Sequence, residues 1–105
     1  MLIKIFSSLA EASISIPKGS LKLLIIDGKK IALAHADNGL HAFNNECPHQ
    51  NEPLHKGILT AFNEVVCRLH HYRFNLKTGQ EANNRCSSMT GYSIIIEESG
   101  VFIDL

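Results

Sequence analysis

Tryptophan is absent, and neither sign of charge is in excess. Ten Lys and Arg face ten Asp and Glu, giving a net charge of zero with the six His counted as neutral. Without a basic surplus the chain carries no electrostatic footprint for nucleic acid. No apolar run approaches the roughly 20 residues that a membrane-spanning helix requires. The N-terminal stretch MLIKIFSSLAEAS is interrupted by Lys4 and Glu11 and has neither a basic leader nor a long apolar segment, so the chain is read as unexported and cytoplasmic, with no membrane partner. Cysteine is scarce and odd in number, at three, which argues against a disulfide framework. In a cytoplasmic setting the thiols serve metal binding, catalysis or packing.

What is present fits one domain over residues 1–105, with 45% hydrophobic and 19% charged residues. A chain of this length buries about two thirds of its surface, a modest core that benefits from a staple. The first third alternates strand-like runs with turn signals and shows no sustained helical period. Residues 22–27 (KLLIID), 30–36 (KIALAHA) and 40–43 (LHAF) are separated by Asp27-Gly28 and Asn38-Gly39, dipeptides suited to tight hairpins because both turn residues can take positive φ. A three-stranded antiparallel meander is therefore expected. Residues 2–6 read as a further strand, SSLAEAS as one helical turn ended by Pro17, and residues 63–67 (NEVVC) as a short strand between two polar loops. Residues 92–97 and 101–105 make a closing hairpin across Ser99-Gly100.

The chemistry lies in the two loops. Cys47-Pro48-His49 occupies the first and Cys67-Arg68-Leu69-His70 the second, so each offers one sulfur and one imidazole. Such a set suits a metal that accepts both donors, clamped between two hairpin tips. Zinc could use it as Cys₂His₂, although structural zinc sites usually pair like with like. A [2Fe-2S] cluster with two cysteines on one iron and two histidines on the other fits the mixed pairs better. A Cys47–His49 nucleophile and base would lack an orienting third group and leave the second pair unexplained.

The pattern C-P-H-x₃-P-L-x₂-G over residues 47–57, followed by V-x-C-x-x-H-x₃-F-x-L-x-T-G over residues 65–79, resembles the Rieske ferredoxin family along essentially the whole chain. The resemblance implies an all-β fold, an antiparallel β-sandwich base with an inserted cluster-binding subdomain at about residues 44–77. It implies that Cys47 and Cys67 bind the inner iron of one [2Fe-2S] cluster and His49 and His70 the outer iron. Pro53, Leu54 and Gly57, with Phe74, Leu76 and Gly79, would shape and anchor the loops.

Departures from the family pattern carry their own expectations. Asn51 and His71 stand where the family usually has Gly, and both residue types tolerate positive φ. Arg68 replaces a frequent Pro, and the region before Tyr92 lacks the proline-containing segment that usually covers the cluster, so a looser cover is expected. High-potential members carry an extra inter-loop disulfide and, two and four residues after the last histidine, a Ser and a Tyr. Here those positions are Tyr72 and Phe74. This implies a low-potential carrier, near the lower end of a range of roughly −150 to +300 mV.

The resemblance thus implies an electron-transfer protein rather than an enzyme, a ferredoxin passing single electrons from a reductase to a terminal oxygenase. Leu69, Pro48 and Tyr72 would lie at the docking rim. The rival readings are the Rieske-like small subunit of a nitrite reductase and a zinc-stabilised binding module without redox activity. Cys86 reads as a structural or free thiol, His35 and His41 as satisfied surface or edge histidines, and His55 and His71 as solvated loop residues. The mixed charges of Glu46, Glu52, Lys56, Arg68 and Arg73 specify no partner.

Overall fold

A computed structural model describes residues 1–105. The N-terminal strand β1 (Leu2–Phe6) leads into helix α1 (Leu9–Ser15), whose entry is capped by the Ser8 hydroxyl accepting from the Glu11 N–H at 3.0 Å. The expected single turn of helix is two turns long, because this cap and Ala12, fully buried, hold it against the base. The meander follows as β2 (Leu21–Ile26), β3 (Lys29–Ala36) and β4 (Gly39–Asn44), paired antiparallel in register. The Asp27-Gly28 turn takes positive φ at both residues, 49° and 77°, as its hairpin demands. At the second turn Gly39 alone does so, at 119°, so the expectation for Asn38 is corrected.

Between the meander and the closing hairpin, β5 (Ile58–Leu59), β6 (Glu64–Val66) and β7 (Arg73–Asn75) form a separate three-stranded sheet. The hairpin itself is β8 (Gly91–Glu97) and β9 (Gly100–Asp104). It joins the base sheet in the order β1-β9-β8-β4-β3-β2.

Strand β3 shows why two cores form. Buried along most of its length, it presents large residues to one side and small ones to the other. Ile31 and Leu33 join Ile16, Leu40, Val101 and Ile103 beneath α1. Ala32, Ala34 and Ala36 face Phe43, Leu54, Val65, Phe74, Leu76, Met89 and both Cys47 and Cys67. The alanines let the inserted sheet close onto the base, and the two cysteines are thereby carried into its core. His35, expected at a surface or edge, is buried, its Nδ1 2.7 Å from the Ile16 carbonyl. Its partner is supplied from α1's C-terminus, a contact that strand patterning does not reveal.

Candidate metal centre

The two loops follow one backbone design. The Cys47 carbonyl accepts from the Asn51 N–H at 2.7 Å, while its own N–H donates to the Glu52 carbonyl at 3.0 Å. The Cys67 carbonyl accepts from the His71 N–H at 2.9 Å, and its N–H donates to the Tyr72 carbonyl at 2.9 Å. The residue four after each cysteine, Asn51 or His71, has φ 58°, so both departures from glycine keep the left-handed turn. Gly57 fixes the first loop against the inserted sheet: a Cβ there would lie 2.0 Å from the Val66 carbonyl oxygen.

These matched loops sort the four donors by solvent. Cys47 and Cys67 are both buried, members of the same packed core. Burial pushes the Cys47 thiol up to about 11, opposed in part by the backbone N–H groups of His49 and Gln50. His49 is half-buried and His70 exposed, and their Nδ1 atoms face each other at 3.4 Å. No three His, Cys, Asp or Glu side chains close on one point that would hold a single ion. The donors form instead a buried sulfur pair and an outer nitrogen pair.

That division fits a [2Fe-2S] cluster better than one tetrahedral zinc. Cys47 and Cys67 would hold such a cluster as thiolates from the dry end, and His49 and His70 would hold it through imidazole nitrogens from the wet end. Around them, Glu52 and Arg68 tie the two loops by an ion pair at 3.5 Å, and Arg73 pairs with Glu64 at 3.7 Å. Leu69 is exposed, while Pro48 and Tyr72 are half-buried.

Three supporting residues escaped the sequence reading. Asn45, buried, receives the His55 N–H on its Oδ1 at 2.8 Å, and its carbonyl accepts from Leu54. His55 is consequently a bonded loop residue, its Nδ1 2.8 Å from the Asn45 amide nitrogen, and burial lowers its pKa. Glu81, fully buried, binds Arg85, whose guanidinium lies 3.8 Å from the Tyr72 ring centroid. The only available signal was the i,i+4 spacing of Glu81 and Arg85, and many solvated pairs share it. His41, by contrast, stays a half-buried strand residue, with Nε2 2.7 Å from the Asn38 Oδ1 and a pKa lowered by burial. Cys86 packs at the edge of the inserted core, its thiol raised chiefly by burial.

The chain matches the Rieske [2Fe-2S] domain family over residues 8–93. It is 32% identical over 100 residues to the ferredoxin component of the naphthalene 1,2-dioxygenase system of Pseudomonas aeruginosa, covering 91% of this chain and 92% of that one. Its fold superposes on the ferredoxin of carbazole 1,9a-dioxygenase from Nocardioides aromaticivorans with a TM-score of 0.81 at 20% identity, covering 98% and 96% of the two chains. A Mycobacterium tuberculosis protein described as an NADH-dependent nitrite reductase small subunit gives the same TM-score, 0.81, at 18% identity over 100% of this chain and 96% of that one. With the sequence match spanning both loops and most of the base, this chain belongs to the Rieske [2Fe-2S] domain family.

Proposed function

We propose that this protein is a cytoplasmic one-electron carrier of the ferredoxin type, in which Cys47 and Cys67 hold the inner iron of a [2Fe-2S] cluster and His49 and His70 the outer iron. The observation that carries the reading is the division of donors on two matched loops, sulfurs in the core and facing imidazole nitrogens at the tip. When bound, the cluster accepts and releases one electron. The chain's own residues do the rest. Residues 1–105 act as one domain in which the subdomain at 44–77 carries the donors and the base sheet keeps the two loops in register. Leu54, Val65 and Phe74 exclude water from the sulfur side, while the exposed His70 and Leu69 leave a short path to a docked partner.

The partners would be a reductase and a terminal oxygenase, bound transiently through a small interface at the tip. Likeness to the naphthalene dioxygenase ferredoxin extends through the sequence, whereas likeness to the nitrite reductase subunit, at 18% identity, is one of fold. The ferredoxin reading is therefore preferred over the nitrite reductase one. Phe74, which has no hydroxyl, and Tyr72, whose hydroxyl sits at the end of a ring stacked on His49, stand where high-potential members carry Tyr and Ser, which supports a potential in the low group. An anaerobic reductive titration tests this: uptake of one electron per chain with a midpoint below zero is expected, and a midpoint above zero would overturn the low-potential assignment.

A further inference from the structure

His49 does not stand alone at the outer end. Its ring lies against Tyr72 with centroids 4.1 Å apart and planes 9° from parallel. The Arg85 guanidinium carbon is 3.8 Å from the same Tyr72 centroid. Two flat groups each centred about 4 Å over one ring cannot share a face without overlapping, so Tyr72 is sandwiched between imidazole and guanidinium.

Arg85 is held in that place from behind. Its Nε donates to Glu81 Oε1 at 3.1 Å and its terminal nitrogen to Oε2 at 2.7 Å, a two-pronged pair on a carboxylate that is 1% exposed. Oε1 also accepts the backbone N–H groups of Asn83 at 3.1 Å and Arg85 at 2.8 Å, which folds residues 81–85 into a closed turn. The turn is fixed to β7 where the Ala82 N–H donates to the Arg73 carbonyl at 2.9 Å. At its far end the Met89 N–H donates to the Gly79 carbonyl at 2.7 Å, where a Cβ on Gly79 would meet the Met89 oxygen at 2.2 Å. The cover expected to be loose for want of proline is therefore anchored by an ion pair whose carboxylate is buried.

We propose that Arg85, fixed by Glu81, is a positioning residue that clamps Tyr72 against His49 and so sets the plane of that imidazole, while holding its own positive charge on the other face of the Tyr72 ring. The inference rests on the reading of His49 as an iron ligand. A wandering imidazole would spread the electronic environment of the outer metal, and a nearby cation favours the state holding one more electron.

The test uses the cluster-loaded protein, its midpoint potential and the line widths of its reduced paramagnetic resonance spectrum. Arg85→Gln is expected to lower the midpoint and broaden the lines. Arg85→Lys, which keeps the charge without the flat face, is expected to restore the midpoint but not the narrow lines. In a Tyr72→Leu background, Arg85→Gln is expected to add no further broadening, because the coupling runs through the ring. Unchanged midpoint and line shape in Arg85→Gln, additive broadening in the double variant, or loss of iron from Arg85→Gln and Arg85→Lys alike would overturn the proposal. An unaltered parent that holds no iron would instead defeat the ligand reading itself.

Discussion

At the scale of single residues, the two left-handed positions are the most informative. Asn51 and His71 occupy φ 58° in loops that close the same pair of backbone hydrogen bonds around Cys47 and Cys67. A β-branched residue there is strained, so His71→Val is expected to cost about 1–2 kcal/mol, while His71→Gly stays near neutral. Chemical denaturation of the two variants checks this. The proposed cysteine and histidine donors, and the tolerance of Asn51 and His71 for positive φ, could be read from the sequence, because chemistry and backbone preference are local properties. Glu81 and Arg85 were not, because burial of a carboxylate is decided by tertiary packing. That burial carries a pH signature. The guanidinium and two backbone N–H groups hold the Glu81 carboxyl near 2, below its ordinary 4.5. Its contribution to stability is thus complete above about 4.5 and lost as pH falls toward 2. Arg85→Gln should move acid unfolding to higher pH, as followed by circular dichroism, and an unchanged acid transition would contradict the ion pair's role.

At the scale of elements, sequence pattern was strongest where strands alternate and turns are tight. The meander and closing hairpin were readable for that reason, whereas β5 and β7, at two and three residues, are too short to show a period. Helix α1 outgrew its expected single turn because Ser8 caps it and Ala12 buries it, the second a packing event. Ser8→Ala is expected to cost about 1 kcal/mol with little effect on the site, since α1 packs on the opposite core. Gly57 belongs to a different class. Its missing Cβ permits the first loop to lie against β6, so Gly57→Ala must push the loop off the inserted sheet. That variant is expected to lose stability by about 2 kcal/mol or more and to release iron faster than the parent on incubation with a chelator. An equal rate of release would show that this close approach does not hold the first loop over the site.

At the scale of the whole molecule, one sheet separates two cores with different dependence on the site. The core beneath α1 contains no proposed ligand, while the other includes Cys47 and Cys67 among its packed members. A cluster joining the two loops would be the staple that a 105-residue domain of modest core benefits from. Removing it should leave the base sheet protected and expose amides at residues 44–76 first, as read by hydrogen exchange; uniform loss of protection would contradict the division. The central claim is that Cys47 and Cys67 share one metal and His49 and His70 the other. It is tested most directly by the paramagnetic resonance of the freshly purified, dithionite-reduced protein, with hyperfine couplings resolved. The account predicts one [2Fe-2S] signal per chain with couplings from two imidazole nitrogens, one of them lost when His70 is replaced by Cys. A colourless and silent protein, or a signal without nitrogen coupling, would contradict it.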